Sequence, residues 1–407
     1  MNFPRNDTTR LAVDGGLPVR GDPMPPRYAI GEAEEAMLLE ALAHYRAAGV
    51  DPGYQGHYEQ RYCNAFAELQ GGGYADAVAT GTAALFIAIA ALELPARSEV
   101  LVSPITDPGT MSAIIMNGLV PRLLDSRPDN FNVGPEQVLE RLTDSTSCIV
   151  LVHSIGQAAD VSAICTLAAE RGIAVLEDCS QSHGARHNGA RIGTFGEIAA
   201  FSTMYRKASI TGASGGVVYT RDEDLYHMAL AHADRGKPSW REGFDDRNPS
   251  QFLFPALNLH TDELSCAIGL ASIGRLDSVI EARLAFVRQV SEGVDRESSA
   301  CRGYGYGEDD SPFIYPVIVE PERLVCSKTE FAEAVRAEGI GLNPHYQYLA
   351  ADWPYFEPYC ADRFDCPNAR SIRDRCFCLY LNEKYSVRES ADTLEAILKV
   401  ERHFAAG

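Results

Sequence analysis

At 407 residues the chain exceeds the usual size of a single folding unit, so two domains, or one large domain with an appendage, are expected. Hydrophobic residues at 46% and charged residues at 23% are ordinary for a globular core, and a net charge of −20 argues against nucleic-acid or membrane-surface roles, which depend on clustered Lys and Arg. Any phosphorylated ligand must therefore be held by local groups.

The segment up to about Arg27 is rich in Gly, Pro and charge and reads as an extended arm that packs on another surface, such as a partner subunit. Ala, Leu and Glu at helical spacing predict a helix over 31–48. After the break at Gly53-Tyr54-Gln55-Gly56, a second helix over 57–69 ends at Gly71-Gly72-Gly73. A strand at 77–79 leads through Thr80-Gly81-Thr82 into an apolar helix over 83–92, whose small first residues leave backbone N–H groups free to face an anion. Strands at 99–102, 122–125 and 148–152 then alternate with helices near 111–116, over 134–142, and from an Asp160 cap to a Gly172 stop. Such alternation implies an α/β fold with a mostly parallel sheet and helices on both faces.

The stretch 173–209 concentrates the chemistry. The apolar run Ile173-Ala174-Val175-Leu176 ends on Glu177-Asp178, and Ile198-Ala199-Ala200-Phe201 ends on Ser202, with Lys207 shortly after. A strand at 215–220 is expected to pair back beside the Phe201 strand. Open α/β sheets bind ligands beyond the carboxyl ends of their strands, so Asp178, Ser202 and Lys207 are expected to converge. An amine for a Schiff base, an anion for a pyridinium nitrogen and donors for a phosphate are what pyridoxal phosphate requires.

The polar passage 234–248 holds Arg235, Lys237, Trp240 and Arg241 and reads as either a solvated loop or a functional one. One long amphipathic helix is predicted over 262–287, joining two domains. A strand at 313–319 and helices over 328–338 and 391–403 give the remainder a smaller α/β rhythm. The expected division is an arm at 1–30, a large domain at 31–275 and a small C-terminal domain at 276–407. Eleven scattered cysteines without a CxxC pair read as reduced thiols, Cys360, Cys366, Cys376 and Cys378 included, and no metal site is expected. The N-terminus lacks an apolar leader and no window approaches ~18 uninterrupted apolar residues, so a soluble, cytoplasmic protein without membrane or nucleic-acid partners is expected.

Several segments, taken in order, resemble the DegT/DnrJ/StrS family of sugar aminotransferases, which are pyridoxal-phosphate enzymes of fold type I. Thr80-Gly81-Thr82-Ala83-Ala84-Leu85 matches the family's N-G-T-S/A-A-L turn, and the run from Val152 to Asp160 matches V-H-x-x-G-Q-x-A-D. The run from Glu177 to Ala185 matches E-D-A-A-Q-A-H-G-A, and Phe201-Ser202 with Lys207 and Gly215-Gly216 matches F-S-x-x-x-x-K and a following G-G pair. The resemblance implies a large, mostly parallel seven-stranded sheet domain, a smaller C-terminal α/β domain, and a homodimer with shared active sites. It assigns Lys207 to the amine that bonds the cofactor and shuttles a proton, and Asp178 to the partner of the pyridine nitrogen. Gln181 would contact the ring near its phenolic oxygen, and Gly81, Thr82, Ala83 and Ser202 would hold the phosphate. Asn258 matches an asparagine that reaches the neighbouring subunit's phosphate. His183, Arg235, Lys237 and the His345-Tyr346 pair stand as substrate-side residues, with Arg206 and Arg241 as further cations for a nucleotide diphosphate.

Three positions depart from the pattern. The family's ring-stacking aromatic falls on Asp107, the first asparagine of the turn is Thr80, and the arginine two residues after Asn258 is His260. The implied reaction is transfer of an amino group from L-glutamate or L-glutamine to a keto-cyclitol or to a free or nucleotide-linked keto-sugar, in amino-sugar or natural-product biosynthesis. Two alternatives use the same scaffold. A sugar dehydratase carries histidine where the family has its lysine, which Lys207 opposes, and a non-catalytic sugar-binding sensor is suggested by Asp107.

Overall fold

The computed structural model describes residues 10–406. Short runs of consecutive apolar residues make its strands, because a strand covered on both faces needs no polar alternation. In chain order the first part comprises α1 (Glu32–Ala48), α2 (His57–Leu69), β1 (Tyr74–Val78), α3 (Gly81–Ala91), β2 (Glu99–Val102), α4 (Pro108–Met116), β3 (Val120–Leu123), α5 (Pro135–Arg141), β4 (Thr146–Val152) and α6 (Val161–Ala169). It continues with β5 (Ala174–Asp178), a small hairpin of β6 (Arg186–His187) and β7 (Ala190–Arg191), β8 (Ile198–Ser202), β9 (Gly216–Thr220) and α7 (Glu223–Ala233).

Seven of these strands form one sheet in the order β1-β9-β8-β5-β4-β2-β3. The pairs from β8 through β5 and β4 to β2 and β3 are parallel. β9 runs against both its neighbours, with Phe201 opposite Val217, which is the return expected for the strand at 215–220. α3 is apolar all round and accordingly buried, with Leu85, Ile87 and Ile89 each at most 3% exposed. Burying three such side chains contributes about 1.5–3 kcal/mol each. That anchorage fixes where the start of α3 meets the sheet.

The predicted helix over 262–287 is two helices, α8 (Glu263–Ile273) and α9 (Leu276–Glu297). The periodicity runs through, but the two halves serve different cores. α8 packs on α1 and α2, while α9 turns away at Gly274 and Arg275 to pack on the last helix of the chain. Arg275 seals the joint by donating to Glu34 (2.6 Å) and to the Ala29 carbonyl (3.0 Å). Glu263, wholly buried at the start of α8, accepts from the N–H groups of Gly56, Tyr58 and Glu59 and so satisfies the orphan donors that open α2.

Beyond α9, β10 (Cys301–Gly303), β11 (Ile314–Val319), α10 (Lys328–Ala337), β12 (Leu342–Asn343), α11 (Pro367–Asp374), β13 (Cys376–Tyr380) and α12 (Val387–Phe404) complete the chain. The four strands form an antiparallel sheet in the order β10-β11-β13-β12. The arm packs on this end of its own chain. Glu338 accepts from Ala12 and Val19 N–H (both 2.9 Å), Lys399 donates to the Leu17 carbonyl (2.8 Å), and Arg20 pairs with Glu389 and Asp392. These acceptors on its own chain lie more than three hundred residues away, where no local sequence pattern reveals them. All eleven cysteines are free thiols. No helix of the described residues is long and apolar enough to cross a membrane.

Candidate active site

A cavity of about 1180 Å³ opens at the carboxyl ends of the parallel strands and is closed on its other side by the four-stranded sheet and the arm. Successive residues of a strand point to opposite faces, so β5 sends its two terminal acids apart. Asp178 lines the cavity. Its Oδ2 accepts from Thr110 Oγ1 (3.0 Å) and its Oδ1 from Ser180 N–H (3.1 Å), and Thr106 donates to Thr110 behind it (2.8 Å).

Glu177 faces the other way, with its side chain wholly buried, and accepts from His153 Nε2 (3.0 Å) and from the N–H groups of Gly193, Phe195 and Gly196. Burial alone would raise its carboxyl, but the His153 contact and the Gly196 and Gly193 donors bring it below the ordinary value. His153 Nδ1 accepts from Ala159 N–H (3.1 Å), so Nε2 carries the hydrogen given to Glu177. The trio of His153, Glu177 and Cys179 is close enough to consider as a metal site, yet the histidine and the carboxylate are already committed to these bonds and burial pushes the Cys179 thiol well up. The trio is therefore a structural joint.

Lys207 follows β8 in a tight turn, its N–H bonded to the Met204 carbonyl (2.9 Å). It is 8% exposed, and its Nζ stands 4.4 Å from the centre of the Phe313 ring. Burial lowers the amine from its ordinary 10.5 to about 8, partly offset by Asp178 and Asp107 across the cavity and reinforced by the Arg283 charge. Among the described residues it has no ion-pair partner. A buried amine of this kind is readily available as a neutral nucleophile near neutral pH.

Opposite Lys207, the start of α3 meets the end of β8. A Cβ on Gly81 would stand 2.5 Å from Ser202 Cβ, so only glycine allows the two elements to approach this closely. Thr80 Oγ1 caps the helix by accepting from Ala83 N–H (2.8 Å). The N–H groups of Gly81 and Thr82 donate to no group among the described residues, and the Thr82 and Ser202 hydroxyls border the same niche. Free N–H donors, two hydroxyls and a helix N-terminus fit a phosphate, and the lysine and the carboxylate beside them fit the aldehyde and ring nitrogen of pyridoxal phosphate.

Gln181 spans the cavity wall. Its Oε1 accepts from Ile155 N–H (2.8 Å), and its side chain also meets the Tyr346 phenol, which burial holds in its protonated form. Asp107 lies at the mouth and caps α4 through Gly109 N–H (2.8 Å), with no aromatic ring at its position.

The structure therefore brings Gly81, Thr82, Asp178, Gln181, Ser202, Lys207 and Tyr346 to one cavity, together with Arg206 at its edge. Other expected residues stand elsewhere in the single chain. Ala83 is buried inside α3 and its N–H is taken by Thr80, so it has no donor left for a ligand. His183 is 3% exposed behind the Phe201 ring, and burial, reinforced by the Lys207 charge, lowers its imidazole to about 3, so it is a neutral packing residue. His345 rests against Lys328 Nζ (3.2 Å), outside the lining. Arg235 and Lys237 both pair with Asp234, at 2.6 and 3.1 Å, and Asn258 is exposed; none of the three lines the cavity. Arg241 is exposed on the same passage. Sequence reasoning missed Arg27, Tyr28, Phe313 and Asn343, which line the cavity from the arm and the second sheet. None of these sits in a pattern that marks it; only the fold brings them in.

A mostly parallel seven-stranded sheet with one reversed strand, capped by a small antiparallel sheet over a strand-end cavity, defines a pyridoxal-phosphate-dependent transferase of fold type I. An aminotransferase from Psychrobacter cryohalolentis shares this architecture, with a TM-score of 0.84 at 23% identity over 92% of this chain and 98% of its own. The model of the DegT/DnrJ/EryC1/StrS aminotransferase family matches residues 39–397, and the chain belongs to that family. It is 32% identical to the L-glutamine:2-deoxy-scyllo-inosose aminotransferase of Streptomyces kanamyceticus, over 88% of this chain and 85% of that one. It is also 32% identical to the GDP-perosamine synthase of Escherichia coli O157:H7, over 56% of this chain and 61% of that one.

Proposed function

We propose that this protein is a pyridoxal-phosphate-dependent aminotransferase that moves an amino group from L-glutamine or L-glutamate to a keto-cyclitol or keto-sugar, with Lys207 and Asp178 as its catalytic pair. One observation carries the reading: a buried lysine with a lowered pKa and no ion-pair partner shares a strand-end cavity with a hydrogen-bonded aspartate. When bound, the cofactor supplies an aldehyde to bond an amine and a ring that accepts an electron pair. The chain does the rest. Gly81 and Thr82 N–H groups, with the Thr82 and Ser202 hydroxyls, hold the phosphate. Asp178, kept in place by Thr110 and Ser180, would face the ring nitrogen and favour its protonated form. Lys207 Nζ takes a proton from the donor carbon and returns one to the acceptor carbon, which its lowered pKa suits. Gln181 and Tyr346 shape the wall against which the ring and substrate rest.

The relatives named above are an L-glutamine:2-deoxy-scyllo-inosose aminotransferase and a GDP-perosamine synthase, which supports the acceptor class. A homodimer suits the placement of Asn258 and Arg235, which are not among the lining of their own cavity and whose side chains are partly or wholly exposed. The eleven free thiols and the acidic charge support a cytoplasmic enzyme without nucleic-acid partners. Lys207 at the cofactor position opposes the dehydratase reading, which needs an imidazole there.

Adding L-glutamine or L-glutamate to the cofactor-loaded protein should bleach the visible band of the lysine-bound cofactor, and borohydride reduction followed by peptide mapping should place the label on Lys207. An unchanged band with both donors, or a label on another lysine, defeats the proposal.

A further inference from the structure

The turn that carries Lys207 is gripped from outside by a residue in a distant segment. Arg27, in the arm, donates through one terminal nitrogen to the Tyr205 carbonyl (2.7 Å) and through the other to the Ala208 carbonyl (3.4 Å). Its Nε donates to both carboxylate oxygens of Glu383, each at 3.0 Å. The two carbonyls bracket Lys207 along the chain. Glu383 lies just past β13, and its Oε2 also accepts from Arg283 at 3.3 Å. Arg283, 2% exposed on α9, gives its other terminal nitrogen to the Pro312 carbonyl (3.3 Å). The next residue is Phe313, whose ring lies against Lys207 Nζ. One carboxylate, through two arginines, thus ties down both the backbone that bears the lysine and the wall its amine rests on.

On the other side of the turn, Tyr205 and Arg206 are exposed, the Lys207 N–H bonds the Met204 carbonyl, the Tyr205 N–H reaches the Ala213 carbonyl at 3.5 Å, and Ala208 packs with Leu276, Val279, Ile280 and Leu284. A guanidinium has five N–H groups in a fixed plane and can serve two carbonyls and a carboxylate at once; an ammonium on a flexible stem cannot hold that geometry. Glu383 is kept ionised, since Arg27 and Arg283 outweigh the cost of burial and bring its carboxyl below the ordinary value.

We infer that Arg27, locked by Glu383, is a positioning residue for Lys207, fixing the 205–208 turn so that the amine meets the cavity in one orientation. The inference rests on Lys207 being the cofactor-bonding lysine proposed above. Arg27 also borders the cavity, so an anchor for the donor's carboxylate is the competing role, and the test separates the two.

The experiment uses the full chain as wild type, R27A, R27K, E383Q and the R27A/E383Q pair. With cofactor and L-glutamine, the limiting rate of the donor half-reaction, followed as loss of the lysine-bound cofactor band and taken as kcat, should fall in R27A roughly tenfold to a hundredfold, the scale of a catalytic group displaced by about 1 Å. KM should move by less than about threefold, because ground-state binding is untouched. R27K should not recover the rate, whereas millimolar guanidinium should restore part of it to R27A and nothing to the wild type. In the pair the losses should fall short of the sum of the singles, as expected for residues in one network. A second readout needs no turnover. The rate at which the apoprotein captures pyridoxal phosphate should have a pH midpoint near 8 in the wild type and a higher one in R27A, where a loosened turn lets water reach the amine.

Wild-type kcat and midpoint in R27A overturn the inference. So does a rise in KM for glutamine alone, which marks an anion anchor, or a loss of kcat with an unmoved midpoint and no guanidinium rescue, which marks a merely structural residue. If R27A does not fold, E383Q decides by its kcat and midpoint. Failure of borohydride to label Lys207 in the wild type instead removes the underlying reading, leaving a distinct signature.

Discussion

Lys207 and Lys237 are almost equally buried, at 8% and 7% exposure, and their surroundings differ in one respect that decides their chemistry. Lys237 Nζ lies 3.1 Å from Asp234, which also takes Arg235 and His260, so its charge is matched by a counter-ion. Lys207 shares a cavity with two carboxylates but pairs with neither, and burial works on it with little compensation. A lysine in a fold becomes reactive when it is desolvated and denied a counter-ion; desolvation with a counter-ion gives a strut.

The largest test of that contrast is replacement of each amine. K207A should lose roughly 10³-fold or more of the transfer rate, the scale of a removed general base, together with the borohydride label. K237A should keep the label, and loss of labelling there would erase the distinction. D178N comes next: kcat/KM with L-glutamine should fall roughly 10²-fold, as for loss of a preorganised charge in a water-poor site. G81A should cost about 1–3 kcal/mol in urea unfolding, from overpacking against Ser202, and weaken cofactor binding in fluorescence titration.

A subtler test is pH. The folded state holds Lys207 near 8 and the unfolded chain near 10.5, so between those values the unfolded state binds more protons and the apoprotein's stability should rise with pH. Below pH 8 this contribution is level, and chemical denaturation of K207M should lack the rise. The smallest effect belongs to R235A. Its side chain is 41% exposed, and breaking its pair with Asp234 should change stability by about 1 kcal/mol or less.

What the sequence disclosed follows from how local each signal is. Asp178 and Ser202 could be read because each ends an apolar run, and a parallel sheet turns run-ends into a site. The alternation of strands and helices gave the parallel sheet, Lys207 was read from its place just past a run-end, and the resemblance added its bond to the cofactor. The break between α8 and α9 stayed hidden because Gly274 is a single residue in a pattern that stays periodic on both sides. Glu263 reads as an ordinary first-turn acid, and its service to α2 depends on a contact across more than two hundred residues. The passage holding Arg235 and Lys237 showed its charges but not their partner, since Asp234 could as well have been solvated. Arg27 lay in a stretch whose composition says only that it is extended.

Arg27 and its carboxylate are 356 residues apart, and the turn it grips lies 178 residues from it. During synthesis the arginine emerges 356 residues before Glu383. Contacts of such long range form after local structure is in place. Until Glu383 is made, then, the nascent chain has its sheet and its lysine but not the clasp around the turn, and the finished geometry arrives only when these two distant segments meet.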